Sequence, residues 1–171
     1  MLNKKKINTV YLSLGANIGD RVSTLNDAII LLKLLCGDLV QKSVIYESEA
    51  WGFESDNKFL NMCVEMSTYL TFSEFTTEIK AIEKKLGRTE KSINSIYKDR
   101  LIDIDILYFG HTIVNSREFT IPHPRMHERR FVLKPLADIA GDIIHPVLKK
   151  TTAELLRECK DVSKLNVYLG Q

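Results

Sequence analysis

Residues 100–110 read RLIDIDILYFG, and this stretch decides the fold. β-Branched and aromatic residues dominate it and a glycine ends it, which is typical of a β-strand. Because successive side chains of a strand point to opposite faces, Ile102, Ile104 and Ile106 should share one face. Asp103 and Asp105 should then stand together on the other face. The pattern predicts a strand with one apolar face and one face that presents two carboxylates.

The two carboxylates suggest a cation site. Residues two apart on a strand have Cα atoms about 7 Å apart, so both side chains can reach a shared pair of cations. Mg²⁺ prefers oxygen ligands and takes one or two carboxylates, leaving its other positions to water and substrate phosphates. Arg100 adds a guanidinium that suits phosphate. Asp-x-Asp is a short motif, however, and by itself it fits a solvated strand face better than a metal site.

Length and composition indicate an ordinary globular enzyme or binding protein. The 171 residues suit one domain spanning residues 1–171, and 44% hydrophobic with 27% charged residues is usual for a soluble protein. A net charge of +2 gives no support for nucleic-acid binding. No apolar run is long enough to span a membrane, and no signal peptide is expected. Three cysteines without a Cys-x-x-Cys pair fit reduced thiols of a cytoplasmic protein, and we expect a monomer.

Apolar periodicity predicts six elements before residue 110, in the order βαββαβ. The predicted strands cover residues 8–14, 39–46, 59–70 and 100–110, and the predicted helices cover 21–36 and the stretch between a Ser73 cap and Gly87. A short hairpin near 111–114 and helical segments should follow. This order predicts an α+β sandwich with a mainly antiparallel sheet and ferredoxin-like connections. Two polar loops, 47–58 and 88–99, lie between elements, and we expect the second to be mobile.

Four segments together resemble one enzyme family. They are YLSLGANIGDR at 11–21, FLN at 59–61, the stretch at 100–110, and IPHPRMHERRF at 121–131. In this order and spacing they are similar to the 6-hydroxymethyl-7,8-dihydropterin pyrophosphokinase family of folate biosynthesis. The resemblance implies a magnesium-dependent enzyme that transfers the terminal diphosphate of ATP to the pterin hydroxymethyl group and releases AMP.

The resemblance also implies a metal and nucleotide site. Asp103 and Asp105 match the ligands of two Mg²⁺ ions that bind with ATP. Arg100 matches a phosphate-contacting arginine and Arg88 matches a catalytic arginine on the mobile loop, roles that guanidinium groups suit. The positions implied in ATP binding are Glu83, Arg100, Ile106, Thr120, His123 and Arg129.

A pterin is a flat heteroaromatic ring with an amide-like edge, so it needs rings to stack on and a side chain that both donates and accepts hydrogen bonds. The resemblance assigns stacking to Phe59 and Phe131, and edge recognition to Asn61. The positions implied in pterin binding are Ser48, Ala50, Trp51, Phe59, Asn61 and Phe131, the first three mainly through the backbone.

The chain departs from the family pattern just before Arg100. Tyr97-Lys98-Asp99 stands where members often carry Trp and Gly-Pro, and Glu90 replaces a second loop arginine of some members. Either Lys91 or Lys98 could supply the missing charge, so both stay open.

Two other functions stay open as alternatives. A nucleic-acid-binding module on a ferredoxin-like sheet is disfavoured by the small net charge and the acidic pair. A different magnesium-dependent transferase that uses Asp-x-Asp for a nucleotide sugar leaves Phe59, Asn61 and Phe131 unexplained.

Overall fold

The computed structural model describes residues 6–87 and 99–170, which form eight strands and four α-helices. The strands are β1 (Asn8–Ala16), β2 (Asp38–Lys42), β3 (Tyr46–Ser48), β4 (Phe59–Thr68), β5 (Asp103–Phe109), β6 (Val114–Asn115), β7 (Thr120–Ile121) and β8 (Leu165–Val167). The helices are α1 (Arg21–Leu35), α2 (Phe72–Lys85), α3 (Arg130–Ala140) and α4 (Thr152–Glu158). No helix in these two described ranges is long and apolar enough to cross a membrane.

The main sheet has the order β5-β1-β4-β3-β8, and β2 pairs with β4 beside β3. Every neighbouring pair is antiparallel. Because β2 and β3 pair with the same strand one after the other, they act as one interrupted strand. The connections are then those of a ferredoxin-like fold, so the predicted fold class is confirmed.

Helices α1 and α2 cover one face of the sheet. Val10, Leu12 and Leu14 of β1 are 0% exposed and belong to the same apolar cluster as Leu25 of α1 and Phe75 of α2. Full burial of one such side chain stabilises a fold by about 1.5–3 kcal/mol, so this cluster is the main core.

The opposite face is only partly covered. Val132 and Leu136 of α3 pack there in a second apolar cluster that includes Tyr11 of β1 and Cys63 of β4. Beyond this cluster the same face carries polar side chains, such as Ser13, Asn61 and Asp103, together with the ring of Phe59. The uncovered part of the sheet is where the candidate site lies.

Two details of the prediction were wrong, and one strand was not predicted. The strand predicted at 39–46 is interrupted, because Ser43 bonds Cys63 through its backbone N–H and also accepts the Cys63 N–H on its Oγ. Thr71, not Ser73, caps α2: Glu74 and Thr71 form a capping box, with the Thr71 side chain accepting from Glu74 N and the Glu74 carboxylate accepting from Thr71 N. Strand β8 was not predicted, and it pairs with the free edge of β3.

Candidate active site

Strand β5 presents the two carboxylates as the sequence predicts. Ile102 and Ile104 are buried on the helix-covered side, whereas Asp103 and Asp105 are half-buried on the uncovered side. In the pairing with β1, Asp103 lies opposite Gly15 and Asp105 lies opposite Ser13. The aspartates therefore stand at the edge of the sheet beside residues with little or no side chain, which leaves room above the strand.

Basic side chains surround the pair from three directions. Arg100 Nη1 lies 2.8 Å from Asp103 Oδ2, and Arg129 Nη1 lies 3.8 Å from Asp105 Oδ2. Burial, and then the negative charge of Asp103, nevertheless raise the pKa of Asp105. The two carboxylates therefore repel each other at this edge of the sheet, and a cation between them would relieve that repulsion.

His123 is the third basic group, and it is neutral. Burial, and then the charge of Arg129, lower the pKa of His123 to about 4. Its Nδ1 accepts a hydrogen bond from Arg125 N at 3.2 Å, so the ring proton lies on Nε2. That nitrogen is 3.8 Å from Asp105 Oδ2. The imidazole can therefore donate a hydrogen bond to an oxygen placed beside Asp105.

The donor set fits magnesium. Within residues 6–87 and 99–170, no three or more His, Cys, Asp or Glu side chains form a cluster that could enclose a metal. Two carboxylates on one strand, open to a cavity, suit an ion that keeps water and phosphate oxygens as its other ligands. The residues present therefore fit Mg²⁺ bound together with a phosphorylated substrate.

On one side of the aspartates is a cavity lined by rings, which we call the aromatic cavity. Its lining residues are Ser13, Gly15, Ser48, Glu49, Trp51, Phe53, Phe59, Asn61, Arg100, Asp103, Asp105, Arg129 and Phe131. Asn61 is 2% exposed, and its Nδ2 donates to Ser48 Oγ at 2.9 Å. This bond orients the amide. The rings and the oriented amide give the cavity the groups that a flat heteroaromatic ligand requires.

The four rings that line the aromatic cavity, which we call the aromatic wall, are those of Trp51, Phe53, Phe59 and Phe131. The ring centroids of Trp51 and Phe131 lie 6.4 Å apart, and Phe53 meets Phe59 edge to face at 6.2 Å. The guanidinium carbon of Arg129 lies 4.9 Å from the centre of the Trp51 ring. This cation–π contact joins the aromatic wall to the basic group beside Asp105.

On the other side of the aspartates, a second cavity of about 450 Å³ lies between α2, β5 and residues 116–124, and we call it the β5 cavity. Glu83 Oε1 accepts a hydrogen bond from Ile104 N at 2.9 Å. Because β5 is an edge strand, this carboxylate satisfies a backbone N–H that no strand pairs. His123 N donates a hydrogen bond to Leu107 O, and this bond holds residues 116–124 against β5.

The structure brings most of the predicted residues together. The aromatic cavity includes the predicted Ser48, Trp51, Phe59, Asn61, Arg100, Asp103, Asp105, Arg129 and Phe131, and the β5 cavity includes Glu83, Ile106, Thr120 and His123. Ala50 lines neither and faces a separate depression with residues 53–56. Arg88, Lys91 and Lys98 lie outside the described residues.

Four lining residues of the aromatic cavity were not predicted from the sequence, namely Ser13, Gly15, Glu49 and Phe53. Ser13 and Gly15 alternate with Leu12 and Leu14 along β1, so the period of two that predicts the strand also places them on the site face. Phe53 lies two residues after Trp51 in a loop that is otherwise mostly polar, which was the available signal. The contacts of Trp51 with Arg129 could not be read from spacing, because the two residues are far apart in the chain.

The sequence of residues 11–141 matches the family described as 7,8-dihydro-6-hydroxymethylpterin-pyrophosphokinase (HPPK). The chain belongs to this family. Its activity is the transfer of a pyrophosphoryl group to hydroxymethyldihydropterin in folate synthesis, and the predicted family and function are confirmed.

Relatives of known name agree. The chain is 46% identical over 138 residues to 2-amino-4-hydroxy-6-hydroxymethyldihydropteridine pyrophosphokinase of Porphyromonas gingivalis, covering 80% of this chain and 93% of the relative. It is 38% identical over 150 residues to the enzyme of the same name from Aquifex aeolicus, covering 88% and 91%. A crystal structure of Plasmodium falciparum HPPK-DHPS A437G shares the fold, with a TM-score of 0.73 at 18% identity. The match covers 92% of this chain but only 46% of that longer chain.

Proposed function

We propose that this pyrophosphokinase uses ATP and Mg²⁺, with the pterin in the aromatic cavity and the nucleotide in the β5 cavity. One observation carries the proposal: Asp105 lines both cavities. A transfer between two substrates requires their reacting groups to meet, and Asp105 lies at the boundary where they would do so. The hydroxymethyl oxygen would attack the β-phosphorus of ATP, the bond to the α-phosphate would break, and AMP would leave.

The chain's own residues would position both substrates. Asn61, held by Ser48, would hydrogen-bond the polar edge of the pterin, and Phe59 and Phe131 would contact its faces. Holding the hydroxymethyl group beside the phosphates makes the reaction effectively unimolecular, which contributes much of the rate enhancement in enzymes of two substrates.

On the nucleotide side, Asp103 and Asp105 would hold the magnesium ions, which neutralise phosphate charge as the bond breaks. Arg100 and Arg129 are fixed guanidinium groups near the aspartates, and His123 Nε2–H faces the same space. These donors suit the oxygens of the transferred diphosphate. Ile106, Thr120 and Glu83 would contact the rest of the nucleotide in the β5 cavity.

The proposal also keeps four expectations from the sequence. Arg88 would contact the triphosphate, on the strength of the resemblance alone. The chain would act as a monomer, as one domain over residues 1–171, and in the cytoplasm.

Product analysis tests the proposal. The protein is incubated with ATP, Mg²⁺ and 6-hydroxymethyl-7,8-dihydropterin, and the nucleotides and pterins are separated by chromatography. We expect AMP and pterin diphosphate in equal amounts, and no product when Mg²⁺ is chelated. ADP in place of AMP would mean transfer of one phosphate and would overturn the proposal.

A variant pair ties the activity to the carboxylates. Asp105→Asn should lower kcat by about 100-fold or more, because a metal ligand supplies several kcal/mol of transition-state stabilisation. Asp27→Asn makes the same change on the exposed face of α1, on the far side of the sheet, and should leave kcat unchanged. Near-normal turnover by a folded Asp105→Asn protein would contradict the assignment.

A further inference from the structure

Asp99 stands immediately before Arg100 and accepts three side-chain hydrogen bonds. Its Oδ1 accepts from Asn17 Nδ2 at 2.7 Å and from Ser55 Oγ at 2.6 Å. Its Oδ2 accepts from Asn57 Nδ2 at 2.7 Å. The hydrogen bond from Ser55, with those from the two asparagines, holds the pKa of Asp99 below its usual range. The carboxylate is therefore ionised at neutral pH, and its hydrogen bonds are charge-assisted.

The three donors come from two separate segments of the site. Asn17 directly follows β1, whereas Ser55 and Asn57 belong to residues 49–58, which we call the β3–β4 loop. This loop carries Trp51 and Phe53, which line the aromatic cavity. Asp99 thus connects the loop that forms the aromatic wall to the strand end that leads into the site.

The same contacts reach Arg100. Asn17 donates to Asp99 and also accepts the Arg100 N–H on its Oδ1 at 2.8 Å, and Asn17 N donates to Arg100 O at 3.2 Å. The backbone of Arg100 is therefore bonded on both sides by one asparagine, which Asp99 in turn holds. The Arg100 guanidinium at the end of this chain of contacts lies 2.8 Å from Asp103 Oδ2.

An aspartate matches the three donors that surround this position in this chain. Its carboxylate only accepts hydrogen bonds when ionised, and here the donors are two amide NH₂ groups and a hydroxyl. An asparagine of the same shape would turn its own NH₂ toward one of these donors, and an alanine would leave all three without this acceptor. Asp99 is exposed, so it adds nothing to the apolar core, and a purely packing role does not explain it.

We propose that Asp99 is a positioning residue for pyrophosphoryl transfer. Its hydrogen bonds connect the β3–β4 loop, through Asn17, to the backbone of Arg100, and they thereby fix the position of Trp51 relative to the phosphate-binding guanidinium of Arg100. This rests on the proposed function, in which the pterin occupies the aromatic cavity. If the hydrogen bonds of Asp99 are lost, the β3–β4 loop with Trp51 should become more mobile and the side chain of Arg100 should be less well oriented. The β5 cavity is formed by other segments and should be less affected.

The test compares Asp99→Asn with the control variant Asp56→Asn. The control removes one negative charge from an exposed aspartate of the β3–β4 loop. Asp99→Asn should raise KM for the pterin about tenfold, the factor expected for one lost hydrogen bond to a charged group, and should also lower kcat. KM for ATP should rise less than KM for the pterin, because the β5 cavity does not depend on this link, and the melting temperature should stay close to that of the unsubstituted protein. Asp56→Asn should change none of these quantities.

Trp51 is the chain's one tryptophan, so its fluorescence reports on the loop without any assay of activity. In Asp99→Asn its emission should shift to longer wavelength and acrylamide should quench it more strongly. The double variant Asp99→Asn with Asn57→Asp exchanges donor and acceptor across the link, and it should recover part of the lost pterin affinity and of the original emission.

Three results would overturn the proposal. The first is an Asp99→Asn protein that matches Asp56→Asn in pterin KM and in emission. The second is an equal loss of ATP affinity, pterin affinity and thermal stability, which would indicate a purely structural role. The third is a double variant that is no better than Asp99→Asn. If the unsubstituted protein forms no AMP, the proposed function fails, yet the fluorescence comparison still tests the link.

Discussion

Gly15 offers a sharp test of the aromatic cavity, because adding one methyl group there should affect folding and binding in opposite directions. A Cβ on Gly15 would lie 3.5 Å from Asn61 Oδ1 and 3.8 Å from Phe59 Cδ1, both ordinary contact distances. In Gly15→Ala the methyl group would therefore fit the unliganded protein without a clash. It would also stand between the amide and the ring to which we assign recognition of the pterin.

The two effects have different expected sizes. Alanine in a strand is more stable than glycine by about 0.5–1 kcal/mol. For a chain of this length that corresponds to a rise in melting temperature of about 1–4 °C. An extra methyl group in an occupied, well-packed site typically costs about 1–3 kcal/mol, which would weaken pterin binding by about 5- to 150-fold. ATP binding should be unchanged, because Gly15 does not line the β5 cavity.

Calorimetric titration with each substrate and a thermal melt measure the three quantities. Thr9→Ala, an exposed position at the other end of β1, is the control and should leave both affinities unchanged. Pterin affinity within twofold of the original protein, in a Gly15→Ala variant that is as stable as expected, would refute the placement of the pterin. A parallel loss of ATP affinity would instead mean that the methyl group disturbs the sheet.

Two further predictions concern the site and the thiols. Phe131→Ala should weaken pterin binding by about 1 kcal/mol or more through loss of stacking, while ATP affinity in the same titration stays within twofold; unchanged pterin affinity would remove Phe131 from the site. Burial raises the pKa of Cys36 to about 12 and also raises that of Cys63, whereas Cys159 is only half-buried. A thiol reagent at pH 8 should therefore modify one cysteine in the folded protein and three after denaturation. Rapid modification of two or three thiols in the folded protein would contradict this.

The sequence was sufficient for the architecture and for the carboxylate pair. Alternation of isoleucine and aspartate is a period-two signal, and each apolar position of residues 102–106 is indeed on the covered side. The alternation is interrupted by a β-bulge in β5. Leu12 pairs with Ile106 and Tyr11 pairs with Tyr108, so Leu107 has no partner in β1. Beyond this bulge, alternation alone assigns side chains to the wrong face.

Other features were out of reach of local pattern. Strand β8 has three residues and pairs only with β3, so its formation depends on a partner far away in the chain. Ser43 interrupts a predicted strand because its hydroxyl, in place of a backbone carbonyl, accepts the Cys63 N–H. This hydrogen bond forms only once β4 lies beside Ser43 in the folded protein. The hydrogen bonds of Asp99 likewise join residues more than 40 positions apart, as with Asn57. These contacts are tertiary, whereas periodicity and capping rules describe neighbours in sequence.

Fold and site are nevertheless specified by one pattern, because they use alternate residues of the same strands. In β1, Leu12 and Leu14 enter the core while Gly15 lies on the site face, and a slip of one residue in register would exchange the two sets. Gly15 pairs with Asp103 on one side and with Asn61 on the other. Two strand spacings of about 4.8 Å thus place these residues about 10 Å apart at one level of the sheet. That span separates the amide that would hold the pterin edge from the carboxylate that would hold a magnesium ion. The pairing that aligns the core therefore also sets the spacing between the two halves of the proposed site.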